Sequence, residues 1–225
     1  MNAPVDAGML SRHDGPEGLA AEVSPPVAAD LADVLDWLAA QFIRAPQREQ
    51  VHAARSVVGQ MLLREMGDVL GNETLMARLG RHLSEGTEEE VTEALQRRYT
   101  ALFEGVFSRQ CALPYASAWQ GSGRLYDAPV TRMQKLLQTL CMELAPTNHE
   151  PPDHLAVQLA ALAQALRQER WPMVQALLVE MDWVAPFCRA MARLDGEGYY
   201  GVMSEVLPVA LARVSIGYGT GQEER

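Results

Sequence analysis

Ionisable side chains crowd one short run of this chain, Glu150-Pro151-Pro152-Asp153-His154-Leu155. Two carboxylates and an imidazole at that density could hold a metal, move a proton or grip a cation, and spacing decides among these. A zincin site needs His-Glu-x-x-His on an unbroken helix. His149 and Glu150 begin that pattern, but Asp153 stands where the second histidine belongs, and Pro151 and Pro152 interrupt the helix. Adjacent residues on a helix diverge by about 100°, so Asp153 and His154 make no acid–base dyad by themselves. Binding remains. Proline suits a first helical turn, where its missing N–H would have no partner, and an acidic residue there is favoured by the helix dipole. The expectation is a helix start with Asp153 in its first turn, placed to take a guanidinium through paired hydrogen bonds. The plainer alternative is a well-built helix start with an incidental histidine.

Two other runs carry candidate contacts. Tyr99, Leu102 and Phe103 fall at i, i+3 and i+4 and share a helix face. That face either packs into the core or walls an apolar groove. Leu113-Pro114-Tyr115-Ala116-Ser117-Ala118-Trp119 mixes aromatics with small residues in a loop, and loop aromatics are good anchors for a partner. They serve equally well to plug the loop onto the domain.

The elements that must position these runs read as helices. Leu31, Val34, Leu35, Leu38 and Phe42 form one stripe, closed by Pro46. The pattern predicts a second helix over about 47–66 with Val51, Val58 and Leu62 inward, and a third over 73–82. Thr87 and Glu90 make a capping box ahead of Val91, Leu95, Tyr99 and Leu102. Periodicity fails from Gly105 to Ala128, predicting a long central loop, then returns over 130–144. Further helices are expected from Leu155, over 173–194 with a kink or break at Pro186, and over 199–214 around Pro208. Residues 1–27 hold four prolines and no aromatic residue and read as a flexible tail; 28–215 read as one all-α helical-bundle domain, and 216–225 as a frayed end.

Composition narrows the function. The net charge of −10 argues against a nucleic-acid binder and suits cationic partners. The three cysteines, Cys111, Cys141 and Cys188, are scattered and form no Cys-x-x-Cys, so neither a disulfide framework nor a zinc site is expected. The chain lacks an apolar run long enough to span a membrane and a secretory leader pattern, so a cytoplasmic protein is expected. It also shows no phosphate loop and no nucleophile elbow.

Taken in order, these motifs resemble the TorD/DmsD/NarJ-type redox-enzyme maturation chaperones, and the TorD/DmsD branch most. The resemblance rests on Tyr99-x-x-Leu102-Phe103, on Pro114-Tyr115 with Ser117 and Trp119, and on Glu150-Pro151-x-Asp153-His154-Leu155. It continues through Trp183 with Phe187 and the pair Tyr199-Tyr200, and covers about residues 30–212. Where the family often has Gly-Pro after Leu-Phe-x, this chain has Gly105-Val106.

The resemblance implies an all-helical cytoplasmic chaperone, not an enzyme. It would bind the twin-arginine signal peptide and the apo-form of a molybdoenzyme catalytic subunit of the DMSO reductase family, and assist cofactor insertion before export. The peptide would contact Tyr99, Leu102, Phe103, Pro114, Tyr115, Ser117, Trp119, Glu150, Pro151, Asp153 and His154. No resident cofactor or metal is implied beyond weak GTP binding, no nucleic acid and no stable membrane insertion, and the protein would be a monomer or a domain-swapped dimer. The rival readings are a helical adaptor or structural subunit, and a weak nucleotide hydrolase.

Overall fold

At the centre lies a helix with almost no polar face. The segment Leu155–Arg167 is built from Leu, Ala and Val with two glutamines, and it is buried on nearly every side. A helix apolar all round belongs in the interior. Its alanines leave room for close approach, and the first helix of the domain packs along its length.

The structure, a computed structural model, describes residues 28–105, 111–120, 128–144 and 150–223. Among them are eleven helices: α1 (Ala28–Phe42), α2 (Arg48–Arg55), α3 (Val57–Leu70), α4 (Glu73–Ser84), α5 (Glu88–Phe103), α6 (Ala116–Trp119), α7 (Ala128–Thr139), α8 (Leu155–Arg167), α9 (Trp171–Glu180), α10 (Val184–Asp195) and α11 (Tyr199–Glu223). The only extended pairing among these residues is an isolated antiparallel bridge, Tyr115 with His154. The all-α expectation holds, and no helix described is long and apolar enough to cross a membrane. The tail expected over 1–27 lies outside the described residues.

The α1 stripe is buried as read, from Leu31 to Phe42. The capping box of α5 forms on both sides, Thr87 accepting from the Glu90 N–H while the Glu90 carboxylate accepts from Thr87 N–H. Rings from four helices meet below it. Phe103 stands 5.0 Å from Tyr200, 5.1 Å from Tyr99, 5.7 Å from Phe42 and 6.2 Å from Phe187, mostly edge to face.

Several expectations change. The helix expected over 47–66 is two helices broken at Ser56, which ends α2 and begins α3 with extended backbone. Its Oγ donates to Ala53 O and accepts from Gly59 N–H, so one hydroxyl serves both helix ends. Gly59 permits the tight fold-back: a Cβ there would lie 2.2 Å from Ala53 O. The break turns α3 about its axis, so Val58 and Leu62 face outward rather than inward. The helix expected over 130–144 stops at Thr139, and Cys141 takes a positive φ of 55° just beyond. The expected 173–194 helix divides at Met181–Trp183, and Pro186 lies in the first turn of α10, where no hydrogen bond is lost. Helix α11 continues to Glu223, past residue 216. The central loop is described only in part; residues 106–110 and 121–127 lie outside, and α6 interrupts it.

Candidate functional site

Two segments far apart in sequence close on each other beside the start of α8. One runs from Cys111 into α6, the other from Glu150 to His154. Leu155 N–H donates to Pro114 O at 2.8 Å, and Ala116 N–H donates to Asp153 O at 3.0 Å. These bonds frame the Tyr115–His154 bridge. Side chains tighten it. Ser117 N–H donates to Asp153 Oδ2 at 2.9 Å, so a carboxylate from the second segment caps the short helix of the first. The Tyr115 hydroxyl donates to Glu150 Oε2 at 2.8 Å, and the Tyr115 ring stands edge-on to the His154 ring with centroids 5.0 Å apart. Trp119 Nε1 donates to Leu113 O at 2.8 Å and secures the turn around α6.

The expectation of Asp153 in the first helical turn is corrected by one residue. His154 is the N-cap of α8, and Asp153 precedes it. Pro151 and Pro152 form the turn before the helix, closed by His154 N–H donating to Pro151 O at 3.0 Å. His154 Nδ1 accepts from Ala156 N–H at 3.1 Å, which requires the neutral ring. Burial acts in the same direction and lowers the imidazole pKa to about 4.

Asp153 is 0% exposed and His154 1%, so the open acidic helix mouth expected from the sequence is a closed one. The physical reason is the Pro114–Ser117 segment leading into α6, which lies across it and spends Asp153 Oδ2 on the Ser117 N–H. Asp153 Oδ1 and Ser117 Oγ have no hydrogen-bond partner, a costly condition for buried oxygens. Asp153 and His154 point to different tasks, one toward α6 and one back onto α8.

The structure therefore sorts the expected contact residues into three sets. Tyr115, Trp119, Glu150 and Pro151 are half-buried and form the outer face of the clasp. Pro114, Ser117, Asp153 and His154 lie beneath it and hold it shut. Tyr99, Leu102 and Phe103 are buried in the aromatic core, the first of their two readings; the Tyr99 hydroxyl donates to Phe42 O at 2.8 Å. The clasp touches that core through Trp119, whose ring lies 6.1 Å from Phe187. Sequence reasoning missed Phe42, whose ring and carbonyl both anchor the core, because a stripe marks a residue as inward without saying what it meets. It also missed Gln158, which accepts from Trp183 Nε1 at 2.9 Å inside the core. A glutamine on the apolar stretch after Leu155 was the available signal.

Comparison with known proteins adds to this geometry. Residues 68–192 match the model of the nitrate reductase delta subunit family. The chaperone protein TorD of Vibrio parahaemolyticus is 25% identical over 209 residues, covering 85% of this chain and 95% of the relative. The chaperone protein TorD of Photobacterium profundum is 28% identical over 148 residues, covering 58% of this chain and 68% of the relative. The fold is similar to the crystal structure of a proposed redox enzyme maturation protein from Archaeoglobus fulgidus, with a TM-score of 0.53, 21% identity, and 78% and 90% of the two chains covered.

Proposed function

The chain belongs to the nitrate reductase delta subunit family, and we propose that it is a maturation chaperone of a molybdenum-cofactor oxidoreductase which binds the twin-arginine signal peptide of that enzyme's precursor. It would act on the cytoplasmic side, holding the unloaded subunit until its cofactor is inserted.

One observation carries this reading. The span of the family match, 68–192, contains both segments of the clasp and every residue beneath it. The clasp offers what a paired-guanidinium leader needs at its surface: the half-buried Glu150, whose carboxylate also accepts from the Tyr115 hydroxyl, with Pro151 and Trp119 beside it. Asp153 and His154 then act by holding the two segments in register. A charge-assisted hydrogen bond contributes about 1.5–3 kcal/mol, and apolar burial of the leader's hydrophobic stretch adds roughly 25 cal/mol per Å² before ordering costs. Together these support binding near about 1 μM.

Titration calorimetry with a synthetic twin-arginine leader tests it. The native chain should bind, Glu150→Gln should weaken binding by about tenfold, and a Lys-Lys leader should bind less well because it lacks the planar fork. Absence of heat with the native chain, and of competition by the leader in a second assay, would end the proposal.

A further inference from the structure

Joined through Gly71 and Asn72, α3 and α4 fold back on each other and leave a hollow of about 530 Å³ on a surface that shares no residue with the clasp. Its floor is Leu63, Met76 and Ala77. Gly80 keeps it open: a Cβ there would lie 3.4 Å from Gln60 Oε1 and 3.7 Å from Leu63 Cδ1. Arg64 on one wall and Arg81 on the other are exposed, and neither makes an ion pair or hydrogen bond among the described residues. By contrast, Arg78 is held by Glu197 and Glu205, Arg132 by Glu180, and Arg167 by Asp33 and Asp36.

The start of α1 lies close by. That helix begins at Ala28, and its Asp30 lines a second hollow together with Glu65 and Asp68 of α3. Asp68 also borders the α3–α4 hollow, one helical turn from Arg64, about 6 Å. The preceding residues, 14–27, carry three carboxylates, Asp14, Glu17 and Glu22, and no cation. Leu19 and Val23 stand among them. Glu22 is six positions before Ala28, a reach of up to about 20 Å. The acidic rim of Asp30, Glu65 and Asp68 repels such a segment from the α1 side of α3, and the two arginines attract it to the α4 side.

We infer that residues 14–27 of this same chain dock into the α3–α4 hollow, Glu17 and Glu22 meeting Arg64 and Arg81 while Leu19 and Val23 lie over Met76 and Ala77. The segment is tethered, so its effective concentration at the hollow is on the order of millimolar, and contacts too weak to hold a free peptide suffice. Asp68 and Glu73, at the turn end of the hollow, set its direction: its carboxylates settle away from them, beside the arginines.

The test uses the full chain. A glutamyl endoprotease cuts after Glu17 and Glu22 when the segment is released, so cleavage there is about tenfold slower in the native chain than in Arg64→Gln with Arg81→Gln, two changes at exposed positions that leave the thermal transition unchanged. Arg81→Lys keeps the charge and supplies an amine in a chain whose one lysine is Lys135. Carbodiimide, which joins a carboxylate to an amine with loss of water, links that amine to Glu17 or Glu22 within one chain, and adding Arg64→Gln lowers the yield. Glu150→Gln leaves cleavage and coupling as they are, which separates this surface from the clasp. Equal cleavage of the native and doubly substituted chains, coupling to Asp68 and Glu73 alone, or coupling that joins two chains and so assigns the hollow to a second copy would each overturn the inference. So would calorimetric binding of inorganic phosphate lost in the double variant, with the native segment cut as fast as in that variant, which would assign the arginines to a free anion.

Discussion

Asp153 Oδ2 accepts the backbone N–H of Ser117 at 2.9 Å, across a sequence separation of 36 residues, and neither residue is more than 1% exposed. This contact ties the segment before α8 to the segment around α6. A carboxylate that looked like a surface ligand from its neighbours in sequence is a structural acceptor under the first turn of α6.

Removing that acceptor therefore changes stability. Asp153→Ala leaves the Ser117 N–H buried without a partner and should cost about 1–3 kcal/mol. Asp153→Asn keeps an acceptor oxygen and should cost less. Urea unfolding of the three proteins checks the order; equal midpoints for Asp153→Ala and the native chain would show that the contact carries no weight.

The His154 ring predicts an acid limb of stability. Its pKa is about 4 in the fold against 6.5 in the open chain, because burial disfavours the charged ring. The unfolded chain then binds more protons than the folded one between these values, so stability rises with pH there. The contribution is intact above about 6.5, falls as the pH drops below it, and is lost by about 4, amounting to roughly 3 kcal/mol. His154→Asn retains an N-cap acceptor without titrating. The difference in stability between native and variant, followed by denaturant titration from pH 7 to about 4, should shrink or reverse in the variant's favour as the solution becomes acidic.

Phe103→Ala should be among the costliest single changes. The ring contacts Tyr99, Phe42, Phe187 and Tyr200, and a buried Phe→Ala typically costs about 3–5 kcal/mol. Calorimetric or chemical denaturation should show that loss. Any fall in peptide affinity of this variant must be measured below its own unfolding transition.

Gly59→Ala tests the break between α2 and α3. In an unhindered helix interior the change stabilises by up to about 1 kcal/mol. Here the new Cβ would lie 2.2 Å from Ala53 O, against backbone rather than a yielding side chain. The variant should therefore be less stable than the native chain, and a raised unfolding midpoint would contradict the observed fold-back.

How far the sequence reached depends on the range of the interactions involved. Helical character, the α1 stripe and the Thr87–Glu90 cap follow from residues three and four apart, and a reader of the chain alone has all of them. The motif order also sufficed to place the chain near its family. The break at Ser56 was harder: Ser56 and Gly59 sit in a good apolar pattern, and only the packing of α3 against α2 gives Gly59 its purpose. That single turn decided that Val58 and Leu62 would line an outer groove instead of the core.

Local sequence thus determined that Asp153 and His154 would stand at a helix start, with the capping preferences of that start. Whether the carboxylate met solvent or a backbone N–H was settled by Pro114–Ser117, the segment leading into α6, which lies over it. Burial depends on what the chain brings back from a distance, and no spacing within Glu150–Leu155 encodes that return. For the same reason the carboxylates of Asp30, Glu65 and Asp68, separated in sequence and unremarkable singly, become one acidic rim only when α1 and α3 pack side by side.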